Sequence, residues 1–188
     1  MRSAATLLLF VCLAGLPAAG CAADVSVEVT RTGEVLHVAA AAEVEGTVAR
    51  AWQVLTDYGR YAEIVPDLQS SRVISRDGNR VVVEQKGEAR FLFFSFPLDI
   101  RLAITEYPTE WIVSRAVAGN FREMQGTYRL AGREGRVSLR YTGRMVPGFD
   151  VPPLIGTLVL RQNVERTFRA LVEAIERGQA EPVPPEKK

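Results

Sequence analysis

Histidine and cysteine are almost missing from this chain. His37 is the single histidine in 188 residues, and Cys12 and Cys21 are the only cysteines. A serine or cysteine nucleophile would therefore have to find its base elsewhere, and a zinc site of the usual histidine and cysteine type lacks ligands. The acids are scattered singly, no Gly-rich loop runs into Lys and Ser or Thr, and no GxGxxG occurs, which argues against a nucleotide-dependent enzyme. Neither a metal nor a cofactor is expected. His37 falls in the first predicted strand and reads as a neutral surface or edge residue.

An excess of one charge is missing as well. The formal net charge is +1, and removal of residues 1–20 would take away Arg2 and no acid, leaving 22 basic against 22 acidic residues. A nucleic-acid partner, which needs a basic footprint, is not expected. The segment from Trp111 to Arg177 is locally basic, with eleven arginines against six acids. A solvated sheet face explains this more simply than an anionic partner does.

What is present begins with an address. Arg2, an apolar run from Ala4 to Leu16 and a small-residue stretch from Pro17 to Ala23 stand in the order of a secretory signal peptide, too short for a membrane span. Residues 1–20 are read as this signal, with cleavage as late as residue 23 as the alternative. Ala18-Ala19-Gly20-Cys21 resembles a lipoprotein box, which makes Cys21 a lipidation candidate and leaves two outcomes open, periplasmic or lipid-anchored in the cell envelope. In either case at most Cys21 survives, so an intramolecular disulfide is excluded.

Period-two patterns fill the middle of the chain. Val25 to Val29 and, after the Arg31-Thr32-Gly33 turn, Val35 to Val44 read as a first strand or hairpin. Thr47 caps a short helix, and a second runs from Arg60 to Val65 before Pro66. About six antiparallel strands follow: Arg72 to Ser75, Arg80 to Ala89, Leu98 to Thr105, Trp111 to Ala118, Met124 to Leu130 and Val137 to Val146. From Asp150 to Arg177 the apolar residues recur at steps of three and four, with Pro152 and Pro153 at the start and Gly178 as the stop; this is a long amphipathic helix. The proline-bearing tail 178–188 reads as disordered. A sheet that ends in one covering helix must curve around it or leave its core wet.

The stretch Asp57-Tyr58-Gly59-Arg60-Tyr61-Ala62-Glu63-Ile64-Val65-Pro66, then Gly126-Thr127-Tyr128, then Tyr141 followed by Pro147-Gly148-Phe149-Asp150-Val151-Pro152-Pro153, resembles the START-related, coenzyme-Q-binding and polyketide cyclase/dehydrase superfamily. The resemblance covers about Val35 to Arg177. It implies an α+β helix-grip fold over residues 25–177, a curved antiparallel sheet wrapped around a long C-terminal helix. It also implies a hydrophobic cavity between sheet and helix that holds a lipid, quinone or other apolar small molecule.

Candidate lining residues are read from the aromatic and alternating stretches. Phe91, Phe93 and Phe96 belong to a run of four phenylalanines within six residues, which serves as core, as cavity mouth or as a membrane-surface contact. Ile100 and Leu102 lie on the dry face of the next strand. Trp111, Val113 and Arg115 share one face of theirs, and an inward Arg115 would have to meet an anion or a carbonyl; the opposite face, with Ile112, Ser114 and Ala116, is an equal claimant to the interior. Tyr128 and Tyr141 each bring a ring and one hydroxyl. Phe149, Leu154 and Leu158 flank the start of the long helix. The favoured function is an exported carrier of a hydrophobic small molecule without covalent chemistry. A cyclase or dehydratase acting in the same cavity is the alternative, and an envelope protein-interaction module is a third.

Overall fold

The computed structural model describes residues 24–91 and 94–177, with Phe91, Phe94, Pro153 and Leu154 placed by their backbone alone. Residues 1–20, expected to be a signal, Cys21, Phe93 and residues 178–188 lie outside the described residues. The chain opens with the hairpin β1 (Val25–Thr32) and β2 (Val35–Glu45), turned at Gly33, whose φ of 60° suits a residue without a Cβ. In β2 the alternate residues Leu36, Val38, Ala40, Ala42 and Val44 are buried, as expected of a strand with one dry face. Thr47 accepts a hydrogen bond from the backbone N–H of Arg50 at 3.2 Å and so caps α1 (Val48–Thr56), which buries Ala51, Val54 and Leu55. A 3-10 turn (Tyr58–Arg60) and α2 (Tyr61–Ile64) follow.

Six more strands form an unbroken meander: β3 (Leu68–Asp77), β4 (Arg80–Phe91), β5 (Phe94–Tyr107), β6 (Trp111–Gly119), β7 (Phe121–Arg133) and β8 (Arg136–Pro147). All neighbours pair antiparallel in the order β1-β2-β8-β7-β6-β5-β4-β3. The chain leaves β2 near one edge and enters β3 at the other, so α1 and α2 carry it across the sheet. Extra residues in β3, β6 and β7, with Val117 the one in β6, add the local twist and bend that bulges bring.

The last element, α3 (Pro153–Arg177, 25 residues), touches β1 and β2 on one side and β4 on the other. Contact with strands from both halves of one sheet means that the sheet curves around the helix. Phe168, Leu171 and Ile175 of α3 are fully buried together with Val44, Val81, Val83, Ile100, Val137 and Leu139 of the strands. Arg50 of α1 donates to the carbonyl of Ala174 at 3.2 Å, satisfying an acceptor in the last turn of α3 that has no intrahelical donor. This end of the grip is closed.

Candidate functional site

Strand register decides which residues meet on the concave face. Ala40, Tyr141, Tyr128 and Ile112 form one row across β2, β8, β7 and β6. The next row on the same face is Val38, Gly143, Gly126 and Ser114, and the one beyond it holds Leu36, Met145 and Met124. The middle row thus has two adjacent positions with no side chain. A Cβ on Gly143 would lie 2.6 Å from the Tyr141 hydroxyl, and one on Gly126 would lie 2.6 Å from a ring carbon of Tyr141. The Tyr141 ring therefore lies down over the glycine pair instead of standing up into the helix, and space is left above it.

That space is a cavity of about 210 Å³ open to solvent, lined almost wholly by apolar groups. Its deep end is an aromatic cluster: Tyr128 and Tyr141 have ring centroids 4.7 Å apart, and Phe168 of α3 stacks on Tyr128 at 6.0 Å. Burial pushes the Tyr141 hydroxyl up to about 12 and the Tyr128 hydroxyl well above its ordinary value. Both stay protonated at neutral pH. Neither is hydrogen-bonded to another described residue, whereas the neighbouring Tyr61 hydroxyl donates to the carbonyl of Leu55 at 2.7 Å. Two neutral donors are thus left at the cavity floor.

The mouth is built by rings from three elements. Phe149, between β8 and α3, stacks on Phe96 of β5 at 5.7 Å and meets Phe121 of β7 edge-on at 6.0 Å. A side wall is supplied by Val65, Pro66, Asp67 and Leu68, which face Leu160, Asn163 and Val164 of α3 across the cavity. Asp67 sits at φ 67°, a left-handed conformation that Asp tolerates better than most residues. Its carbonyl accepts from the N–H of Glu88 at 2.8 Å, and its carboxylate accepts from Asn163 at 3.3 Å and from Arg166. The wall is therefore latched to both the sheet and the helix.

Of the residues expected to line a cavity, Phe96, Tyr128, Tyr141 and Phe149 do so. Phe91 ends β4 and Leu154 lies in the first turn of α3. Trp111, Val113 and Arg115 must be reassigned to the convex face. Register places Ile112 beside Tyr128, so its sequence neighbours point away; Arg115 and Val113 are exposed, and Trp111 packs on Tyr107 and under the Arg129 guanidinium. Arg115 consequently needs no anion. Ile100 and Leu102 are buried in the core rather than at the cavity. The reason is direction: β5 runs from the mouth inward, so Phe96 and Leu98 reach the cavity and later residues lie where α3 has already closed on the sheet. Leu158 is half exposed, because the helix turns Gly156, Val159, Leu160 and Asn163 toward the cavity instead. Sequence reasoning missed Met124, Met145, Asp67 and the glycine pair; the mirrored triplets Gly126-Thr127-Tyr128 and Tyr141-Thr142-Gly143 were the available signal for the last.

A family model described as polyketide cyclase / dehydrase and lipid transport matches residues 44–175, more than two-thirds of the chain. The chain belongs to this family. No curated protein matches it in sequence. Among solved structures, the chain is similar to the Zhui aromatase/cyclase from Streptomyces sp. R1128, with 19% identity, TM-score 0.63, and coverage of 77% of this chain and 93% of that one. It is also similar to a STAR-related lipid transfer protein from Xanthomonas axonopodis, with 13% identity, TM-score 0.65, and coverage of 80% and 93%. Human STARD10 is similar as well, at 11% identity, TM-score 0.61, and coverage of 79% and 72%. At these identities the likeness establishes the helix-grip fold.

Within this family frame, the cavity's chemistry is sparse. His37 is exposed on β2 and does not line it. Among the described residues no group of three His, Cys, Asp or Glu side chains could hold a metal ion. Asp67 is engaged by Arg166 and Asn163, Glu88 accepts from Ser95 and Arg90, which hold its carboxyl below the usual range, and the tyrosines are held neutral, so the described lining offers hydrogen-bond donors and apolar surface rather than a poised base.

Proposed function

We propose that this protein binds and carries a hydrophobic small molecule in the cavity between sheet and α3, without covalent chemistry. The observation that carries this reading is the glycine-floored cavity itself, apolar, open, and provided with two unpartnered tyrosine hydroxyls. Removing apolar ligand surface from water is worth about 25 cal/mol per Å², so affinity needs little beyond shape. The two hydroxyls would orient one oxygen of the ligand. Its volume lies below the roughly 300–1,000 Å³ common for drug-sized ligands, which favours a slim chain or a molecule that keeps one end at the mouth.

The carrier is exported in this proposal, supported by Arg2, the apolar run and the small residues before Cys21. The Phe91-Leu92-Phe93-Phe94 stretch between β4 and β5 would supply the membrane-surface contact at which cargo is exchanged. Mass spectrometry of the protein purified from its host without detergent tests both parts. The expected result is a chain starting at or shortly after Cys21, with a co-purifying hydrophobic molecule released on denaturation.

One observation favours a cyclase reading: a hydroxyl without a protein partner inside a cavity can hand a proton to a ligand oxygen. The two readings separate on Tyr128→Phe and Tyr141→Phe. Retention of the ligand weakened by roughly tenfold or less, the value of one or two hydrogen bonds, supports the carrier; loss of a turnover that the wild type displays supports the enzyme.

A further inference from the structure

A second recess of about 680 Å³ adjoins the apolar cavity and shares Leu36, Pro147, Phe149 and Val151 with it. Its character is different, because Arg31, Glu34, Arg122 and Asp150 line it. Arg122 is committed: it pairs with Glu34 at 2.9 Å and donates to the carbonyl of Pro147 at 3.2 Å, and this pairing holds the Glu34 carboxyl below its usual range. Arg31 is not. It is half-buried, it donates to the carbonyls of Gly33 at 2.8 Å and Val151 at 3.3 Å, and it has no carboxylate within ion-pair distance among the described residues. Carbonyl bonds fix its guanidinium in place, and the nearby Glu34 carboxyl, on which it exerts a weaker pull from beyond ion-pair distance, is already paired with Arg122. Asp150, the one unengaged acid of the recess, is exposed.

We propose that this recess binds the anionic head group, carboxylate or phosphate, of an amphiphile whose apolar tail passes Phe149 into the cavity, with Arg31 as the charge partner. The inference depends on the carrier reading of the cavity and names the class of molecule carried. A guanidinium already aimed by two carbonyls loses little freedom on meeting an oxyanion, and its fork geometry suits either head group. The shared lining residues place head and tail sites end to end, so one molecule can occupy both. Arg31 and Glu34, at the β1–β2 turn, lie outside the stretch matched by the family model, and the rest of the charged lining lies within it.

The test is calorimetric titration of the purified protein with decanol, decanoate and decyl phosphate at mildly alkaline pH, repeated with Arg31→Gln, Arg31→Lys and Asp150→Asn. The anionic probes should bind roughly tenfold or more tightly than decanol, as one charge-assisted contact provides. Arg31→Gln should remove that advantage while leaving decanol unchanged, Arg31→Lys should keep part of it, and Asp150→Asn should not reduce it. The tighter of decanoate and decyl phosphate identifies the head group as fatty acid or phosphate ester. Equal binding of decanol and both anions overturns the recess proposal and leaves the carrier standing, as does an anion preference that survives Arg31→Gln. Failure of all three probes to bind overturns the proposal and the carrier reading together.

Discussion

The ring of Tyr141 lies over Gly143, two residues further along its own strand, so closely that a Cβ on that glycine would come within 2.6 Å of the tyrosine hydroxyl. Gly126, directly across the ladder, presses on the same ring from β7. The obstacle to a side chain at either position is the far end of a movable ring, not backbone. Gly126→Ala and Gly143→Ala should therefore fold, with Tyr141 lifted into the cavity. Affinity for an apolar ligand should fall by about tenfold or more, while the thermal midpoint changes little or rises, since Ala is better than Gly in a strand. Ligand titration beside thermal unfolding of each variant checks this.

Gly87 provides the contrast. There an added Cβ would overlap the Asp67 carbonyl and approach Leu68 Cα at 3.0 Å, and backbone cannot swing aside as a ring can. Gly87→Ala should cost about 2 kcal/mol or more, in the range of mutations that force backbone shifts. Chemical denaturation measures it, with loss of hydrogen-exchange protection at the Glu88 amide as the local signature.

Asp67 and Arg166 should govern release more than affinity. Asn at position 67 tolerates the same left-handed φ but removes the charge that faces a partly buried guanidinium, whose Nε already lacks a partner. Asp67→Asn should lower stability by about 1–2 kcal/mol and raise the ligand's dissociation rate several-fold, because the wall formed by residues 65–68 is then tied to α3 by a neutral acceptor in place of a charged one. Stopped-flow release of a bound fluorescent fatty acid would show it.

The pH dependence follows from the tyrosines. Burial raises Tyr141 from 10.0 to about 12 in the folded chain and lifts Tyr128 well above its ordinary value. Between those limits the unfolded chain binds fewer protons than the folded one, so the stability that these groups contribute is fully present below pH 10 and is lost as pH rises through about 12. Hydrogen-bond donation to a ligand should be level across neutral pH. Phenolate absorbance should report Tyr128 and Tyr141 titrating only with alkaline unfolding.

Much of this architecture was readable from alternation alone. β8 announces its dry face with Val137, Leu139, Tyr141 and Met145, and α3 announces its length and stripe. The side of β6 that faces inward was not readable, because Val113 and Val117 are apolar yet exposed, while Ser114 and Ala116 on the other face are small. Pairing of Ile112 with Tyr128 settles it, and pairing is a property of three strands together. The cavity face of α3 escaped for a related reason: Asn163 and Thr167 interrupt the apolar stripe at the positions where the helix stands off the sheet. Asp67 carries no local signal at all, since its role comes from a helix about a hundred residues away.

The central claim is that the space above the Tyr141 ring admits a molecule from outside. Met124 and Met145 are the only methionines after Met1, and both line that space in one row across β7 and β8. Labelling their terminal methyl groups and titrating decanol under NMR observation gives two signals that report on the cavity directly. Saturable shifts of both methyls, removed together by Gly143→Ala, are the expected result; two methyl signals that stay fixed up to the solubility limit of decanol would contradict the account.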